Sequence, residues 1–198
     1  RYCAISPDGT SIAFTYKGDI YTVPVNGGKA AQITTNAAHD THPVWSPDGK
    51  QIAFASDRMG SMDIFVVDRE GGIPKRLTTH SGNETPVAFK DADHILFLAN
   101  VMPSAEDAQF PSGQFQQVYE VSTTGDRPVM FSSMPMEDIS INKTGNALLY
   151  HDKKGYEDPW RKHHTSSITR DIWLCSLDGK RSYRKLTSFN GEDRTPVW

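Results

Sequence analysis

Short apolar segments of strand length recur along the chain, each lying between turn residues. The clearest occupy residues 12–14, 52–54, 95–97 and 148–150. Because successive side chains of a strand point to opposite faces, each of these segments is apolar on both faces. No stretch of helical length shows a 3.6-residue period. The pattern therefore predicts an all-β chain whose central strands are buried on both sides.

The turns beside these segments also repeat. Ser-Pro-Asp-Gly occupies residues 6–9 and 46–49. Proline presets φ at the second turn position and glycine accepts a positive φ, so this turn predicts a tight hairpin between a first and a second strand. Gly-Gly or Asp-Gly at residues 27–28, 71–72 and 178–179 predicts another hairpin, between a third and a fourth strand.

The period of the repeat distinguishes between architectures. Its aromatic anchor stands at positions 14, 54, 97 and 150, so successive units are 40, 43 and 53 residues apart. A two-layer sandwich would alternate apolar and polar residues along its outer strands, and a β-helix would have a shorter period. Four-stranded sheets buried on both faces at this spacing are typical of β-propeller blades.

We therefore predict one β-propeller domain over residues 1–198, built from four tandem four-stranded antiparallel repeats. The repeats are expected at about residues 1–41, 42–84, 85–137 and 138–194. Thr-Pro-Val-Trp at residues 195–198 repeats His-Pro-Val-Trp at residues 42–45, which predicts the first strand of a fifth unit. That additional strand favours part of a propeller of six or seven blades.

Composition and charge argue against several partners. Hydrophobic residues make up 37% of the chain, charged residues 23%, and the net charge is −3. This balance gives no reason to expect nucleic acid as a partner. No apolar run approaches the ~20 residues of a membrane helix, so we expect no membrane insertion. The cysteines, Cys3 and Cys175, are too few for a disulfide scaffold.

The sequence contains no established catalytic motif. Gly-x-Ser-x-Gly, His-Glu-x-x-His and the phosphate-binding loop are absent, and the Asp-Gly turns lack the acidic density of a calcium loop. We predict no catalytic residue, no cofactor and no metal. A metal on His39 and His42 would need a third ligand such as His80. A propeller hydrolase or lyase would need convergent groups, for which His42, His80, Glu84 and Arg194 are the candidates.

Candidate binding residues follow from where a propeller places its loops. The loops that join successive blades emerge nearest the central channel, on the same face as the loops between second and third strands. The candidates on this face are His39, Asp40, His42, His80, Glu84, Glu137, Asp138, Trp160, Arg161, Asp193 and Arg194. One interpretation is a mostly acidic mouth that admits peptides with basic or amino-terminal groups. The other is that loops are charged simply because they are solvated.

The loop of the fourth unit is long, basic and aromatic, and it contains Trp160 and Arg161. Loops of this length in a compact domain are usually functional or mobile. An exposed Trp-Arg pair has the composition of an interaction hot spot. Alternatively, Trp160 folds back onto its own blade.

The second unit carries the signature of a known repeat. The signature consists of residues 45–50, 52–54, 56–58, 63–68 and 76–78. These residues resemble the WD40-like repeats of the TolB and tricorn protease families. The resemblance is strong in the first two units and weaker in the last two.

Residues 158–167, which lead into residues 169–173, resemble the first propeller of bacterial tricorn-like proteases. In that family the propeller precedes a second propeller, a PDZ domain and a serine protease core. The resemblance implies a non-catalytic module for peptide admission or domain docking. It also implies that the downstream protease domains are partners in the same polypeptide, and that the protein is periplasmic or exported. A TolB-like periplasmic protein–protein interaction module is the alternative, and exposed blade edges would permit self-association.

Overall fold

Four separate four-stranded sheets make up the structure. The computed structural model describes residues 1–100, 116–153 and 168–198. Each sheet is an antiparallel meander whose strands lie side by side in chain order. The described residues contain only strands, turns and irregular segments, and none of them forms a helix that could cross a membrane. The predicted all-β fold of four four-stranded repeats is confirmed.

The bounds of the strands show how each unit is divided. The first sheet contains β1 (Ala4–Ile5), β2 (Ser11–Tyr16), β3 (Asp19–Pro24) and β4 (Ala31–Gln32). The second contains β5 (Asp40–Trp45), β6 (Gln51–Ser56), β7 (Asp63–Asp68) and β8 (Lys75–Arg76). The third contains β9 (Glu84–Phe89), β10 (His94–Ala99), β11 (Gln117–Ser122) and β12 (Val129–Ser132). The fourth contains β13 (Met136–Ile141), β14 (Ala147–Asp152), β15 (Ile172–Ser176) and β16 (Ser182–Lys185).

The hairpin between the first and second strands of a sheet is held by its own side chains. Between β5 and β6, Ser46 Oγ donates to Asp48 Oδ1 at 2.7 Å and accepts from the Gln51 backbone N–H at 2.9 Å. Gly49 has a φ of 68°, in the left-handed region that favours glycine. In the fourth sheet Asn142 replaces the serine, and its side-chain oxygen accepts from the Ala147 N–H at 3.1 Å. The predicted hairpin is therefore confirmed.

Three apolar cores lie between successive sheets. One is centred on Phe54 and Trp45 between the first and second sheets. Another contains Ile64 and Phe97 between the second and third sheets, and the last surrounds Leu148 between the third and fourth. The second strands of the two middle sheets are buried on both faces, as their apolar sequences predict. Each middle sheet thus packs against the sheet before it and the sheet after it.

The first strand of each sheet lines a shared groove of about 770 Å³. We call β1, β5, β9 and β13 the inner strands. The first and second are joined by the indole N–H of Trp45, which donates to the Ala4 carbonyl at 3.1 Å. In the same way, the indole N–H of Trp198 donates to the Ser140 carbonyl at 2.9 Å.

Residues 195–198, predicted as the first strand of a fifth unit, belong to none of the four sheets. Within the described residues, no strand pairs with their backbone. Trp198 nevertheless docks on the fourth sheet as Trp45 docks on the first. The segment therefore repeats the side-chain contact of an inner strand without its backbone pairing.

Candidate functional site

The polar residues of interest lie at one end of the sheets. Inner strands and third strands begin there, and second and fourth strands end there, because all neighbouring strands are antiparallel. In the second sheet, for example, Asp40 is opposite Ser56, and Ser56 is opposite Asp63. We call this the upper end of the sheets. The groove lies towards the opposite end, where its lining includes the turns that follow the inner strands. The predicted site residues in the described part of the chain lie at or near the upper end.

A repeated aspartate fastens the outer strand of three sheets. It begins or immediately precedes the third strand and contacts a polar side chain of the fourth strand. The pairs are Asp19–Gln32 at 2.9 Å, Asp63–Arg76 at 2.8 Å and Asp171–Lys185 at 2.9 Å. A threonine hydroxyl two residues after the fourth-strand partner accepts the backbone N–H that follows the aspartate, at 2.8 Å from Ile64 to Thr78 for instance. These signature residues hold the blade together.

Asp40 begins β5, where its carboxylate is completely buried. Arg58 Nη2 lies 2.8 Å from both carboxylate oxygens, and Arg58 Nε donates to Ser56 Oγ at 2.8 Å. The guanidinium also lies 4.7 Å from the centre of the Phe65 ring. Asp40 is therefore fully engaged in a buried ion pair and is not presented to solvent at the upper end.

Glu84 occupies the corresponding position of the third sheet, at the start of β9. Its backbone N–H donates to the Met62 carbonyl of the second sheet at 2.8 Å, and its side chain is 1% exposed. One carboxylate oxygen, Oε2, has no hydrogen-bond partner among the described residues. Burial, reinforced by the negative charge of Asp63, raises the pKa of Glu84 to about 7.

Glu137 is the acidic residue at the upper end of the fourth sheet, and several basic groups contact its carboxylate. His151 Nε2 lies 3.1 Å from Glu137 Oε2, Lys153 Nζ donates to Oε1 at 2.8 Å, and Arg170 Nε lies 3.5 Å from Oε2. The hydrogen bond from His151 is the largest cause of a lowered pKa. Together with the hydrogen bond and charge of Lys153 and the charge of Arg170, it lowers the pKa of Glu137 to about 2. The Glu137 carboxylate therefore stays ionised, and its two oxygens are engaged by these basic groups.

Replacing Glu137 with glutamine is expected to weaken the dependence of the free energy of unfolding on pH in the acidic range. The folded-state pKa lies below the ordinary value of 4.5, so the stabilisation is complete above pH 4.5 and is lost as the pH falls towards about 2. At neutral pH the variant should lose about 1 to 2 kcal/mol, since partial exposure screens the interactions. Urea unfolding at several pH values measures this, and parallel curves for the two proteins would contradict it.

In two inner strands, the pairing with the second strand is interrupted at the positions of candidate site residues. Their pairing is interrupted between Thr41 and Val44 in β5 and between Glu137 and Ser140 in β13. His42 and Asp138 lie in these interruptions with φ values of 53° and 49°, uncommon for residues other than glycine.

The side chains at these interruptions contact the neighbouring inner segments. His42 stacks on Tyr2 of the first unit, with ring centres 3.7 Å apart. Asp138 accepts a hydrogen bond from Thr195 Oγ1 at 3.0 Å. Asp138 is 48% exposed, and apart from His151 no cation pairs with it among the described residues. It is therefore the most available carboxylate of the predicted set.

The remaining predicted residues are dispersed. His39 and His80 are exposed, and the His80 ring accepts from the Gly82 N–H within its own loop. Arg194 pairs with Glu192, while the Asp193 backbone N–H donates to the Arg170 carbonyl at 3.0 Å. Trp160 and Arg161 lie outside the described residues.

The described contacts do not assemble a catalytic or metal-binding constellation from the candidates. In residues 1–100, 116–153 and 168–198, no hydrogen bond or ion pair joins any two of His42, His80, Glu84 and Arg194. In the same ranges, no three His, Cys, Asp or Glu side chains are grouped to hold a metal ion.

Arg58, Arg76 and His151 pair with acidic residues at the upper end, and none of the three was predicted from the sequence. Arg58 and Arg76 lie inside the recognised signature, but the signature does not reveal which acid each one contacts. The available signal was the spacing of 13 residues between Asp63 and Arg76, which recurs between Asp19 and Gln32 and becomes 14 residues between Asp171 and Lys185. His151 follows an apolar strand segment, and nothing in its local sequence marks it as a partner of Glu137.

A family model spans the whole chain. The family is described as the Tricorn protease N-terminal beta propeller domain, and its model matches residues 1–198. The chain belongs to this family. Tricorn protease homolog 1 of Streptomyces coelicolor is 25% identical over 192 residues, covering 97% of this chain and 17% of that protein. The Tricorn protease homolog of Saccharolobus solfataricus is 25% identical over 200 residues, covering 96% of this chain and 17% of that protein.

Solved structures share the fold of this tricorn-type propeller domain. TolB from Acinetobacter baumannii has a TM-score of 0.68 and 24% identity, with 100% of this chain and 45% of that chain covered. The tricorn protease has a TM-score of 0.66 and 19% identity, with 96% of this chain and 18% of that chain covered. The propeller domain thus spans about one sixth of the curated relatives it matches. The resemblance stated from the sequence is confirmed.

Proposed function

We propose that this domain is a non-catalytic module of a tricorn-like protease that admits peptides along its inner strands. The observation that carries the proposal is the groove of about 770 Å³, to which all four sheets contribute an inner strand. Its size falls within the roughly 300 to 1,000 Å³ of small-ligand pockets. A continuous groove along parallel elements suits an extended chain better than a compact ligand.

The groove has an apolar lining, and Asp138 directly precedes the groove-lining Ile139 on the same inner strand. Ile5, Val44, Val87 and Ile139 supply the apolar lining. At the upper end, Asp138 is half-exposed and has no lysine or arginine partner among the described residues. A peptide whose amino terminus or basic side chain lies beside Asp138 gains electrostatic complementarity, which favours basic over acidic peptides.

The test is binding of short peptides that differ only in charge. Trp198 lines the groove and is half-exposed, so its fluorescence reports occupancy. We expect lysine-containing peptides to bind more tightly than glutamate-containing ones. Asp138→Asn should weaken the basic peptides roughly 2- to 5-fold, the effect of one partly screened charge.

Asp126→Asn is the matched control for this measurement. Asp126 is an exposed aspartate in the connection between β11 and β12, away from the inner strands. This variant should leave binding unchanged. Equal affinity of Asp138→Asn and wild type for basic peptides would overturn the role of Asp138. No fluorescence response to any peptide would overturn peptide admission itself.

Docking of another protein surface is the second candidate, and one observation favours it. Leu186 of the fourth unit is 43% exposed, whereas its counterparts Ile33 and Leu77 are buried beneath the following sheet. Phe189 and Tyr183 are exposed nearby. An apolar surface of this kind suits association with a further domain. Sedimentation that shows concentration-dependent association, with no response to peptides, would favour docking over peptide admission.

A further inference from the structure

The interface between the second and third sheets buries two carboxyl groups beside one arginine side chain. Asp63 and Glu84 are 0% and 1% exposed, and they begin β7 and β9 on opposite sides of this interface. Arg76 contacts Asp63 at 2.8 Å through Nη2. Oδ2 of Asp63 is engaged by Arg76, whereas Oδ1 of Asp63 and Oε2 of Glu84 lack a hydrogen-bond partner in the described structure. The Arg76 guanidinium therefore supplies the compensating positive charge for both buried carboxyl groups.

The corresponding interface between the first and second sheets is arranged differently. There Asp40 takes the place of Glu84, and the arginine of its own sheet, Arg58, contacts both of its oxygens. The third unit lacks this arginine, because its sequence has Val101 where the second unit has Arg58. An ionised carboxylate buried without a cation is strongly unfavourable, and such groups usually become neutral instead.

We propose that Glu84 carries a proton in the closed interface, and that losing this proton loosens the contact between the second and third sheets at their upper end. The packing of the two sheets at their upper end would then depend on pH through one buried carboxyl group. This inference concerns regulation and stands independently of which peptide or protein occupies the groove.

The groups that face Glu84 support this assignment. From the second sheet, Asp63 adds negative charge while Arg76 and the Thr78 hydroxyl favour ionisation. His80, in the loop after β8, is close enough to influence Asp63. Burial outweighs the favourable contacts, so that the pKa values of both Glu84 and Asp63 lie above their ordinary ranges.

The contact that would loosen is identifiable. The Glu84 N–H donates to the Met62 carbonyl, and the Met62 N–H donates to Asn83 Oδ1 at 3.1 Å. These bonds tie the loop before β7 to the start of β9. Asp63 follows Met62 in the chain. Repulsion between the ionised carboxylates of Asp63 and Glu84 would therefore act directly on these two hydrogen bonds.

The direction of the pH effect follows from linkage. Unfolded Glu84 releases its proton near pH 4.5 and folded Glu84 near pH 7, so the folded chain binds more protons between these values. The stabilisation is therefore complete below pH 4.5 and is lost as the pH rises through about 7. Glu84→Gln keeps the neutral form at every pH and should abolish this dependence.

The experiment compares melting temperatures of wild type and Glu84→Gln from about pH 5 to about pH 8.5. We expect equal melting at the acidic end, and at the alkaline end wild type should melt roughly 5 to 10 °C below the variant. Asp40→Asn is the matched control at the equivalent position of the second sheet. It should melt below wild type across the whole range, because it removes a carboxylate that Arg58 already neutralises.

A second measurement on the wild type keeps the proposal testable if Glu84→Gln fails to fold. Hydrogen exchange of the Glu84 amide, corrected for the intrinsic rate, should lose protection as the pH rises through about 7. Parallel melting curves for wild type and Glu84→Gln would overturn the proposal. So would unchanged protection of this amide across the range.

Discussion

Replacing Phe54 with alanine is expected to destabilise the chain by about 3 to 5 kcal/mol. The Phe54 side chain is completely buried in the core between the first and second sheets, and it stacks on Phe65 with ring centres 5.9 Å apart. Alanine would remove its contacts with both sheets that form this core and leave a cavity that rigid neighbouring strands cannot fill. Denaturant unfolding followed by far-ultraviolet circular dichroism measures the loss.

Phe14→Ala is the matched control, because Phe14 has the same place in the first unit. It stacks on Tyr21 at the same 5.9 Å, yet it is only half-buried. Its replacement should therefore cost only about 1 to 2 kcal/mol. Equal losses at the two positions would contradict the view that packing between sheets, and not the cross-strand ring pair, provides most of the stabilisation.

The second large effect is expected on replacing Arg58 with methionine. This change keeps most of the side-chain volume but leaves the Asp40 carboxylate buried without a cation, which should cost about 3 to 5 kcal/mol. The double variant Asp40→Asn with Arg58→Met should recover much of the loss, since it removes both charges. Urea unfolding of the two single variants and the double variant completes the thermodynamic cycle.

The exposed pair of Lys50 and Asp48 provides the control for Arg58. These side chains are 3.4 Å apart and largely solvent-exposed. Lys50→Met should change stability by no more than about 0.5 kcal/mol, and high salt should remove even that. The loss in Arg58→Met should persist at high salt, because burial shields the pair from mobile ions. A loss of similar size in both variants would mean that the Asp40–Arg58 pair behaves as a surface contact.

The architecture could be predicted because its determinants are local and periodic. The Ser-Pro-Asp-Gly turn fixes a hairpin within four residues, and Ser46 and Asp48 satisfy it without outside help. Apolar segments such as residues 52–54 show directly that a sheet is covered on both faces. Repetition then reinforces each weak signal, so even the degenerate third and fourth units were assigned correctly.

The candidate site was harder to predict because its chemistry depends on pairings between distant positions. Asp40 and Glu84 begin equivalent strands after similar loops, and both were expected at a solvated mouth. Sequence position alone does not show that both are buried, or that only Asp40 is matched by an arginine. That distinction arises from Arg58, 18 residues away in the chain. Asp138 is recognisable in the sequence as an acidic residue. Its carboxylate is available to a ligand because the nearby lysine and arginine pair with its neighbour Glu137 instead, which the sequence does not show.

The sheets pack in chain order, each on the one before and the one after, and this affects how the domain loses structure. In such an arrangement stability approximates a sum of terms for single repeats and for nearest-neighbour interfaces. The two middle sheets take part in two interfaces each, while Phe14, Leu186 and their neighbours lie where one face is uncovered. Within residues 1–198, loss of structure should therefore start in the first and fourth units and reach the middle units last. The β5–β12 region would be the last cooperative unit to open, and the last to lose the shape of the groove.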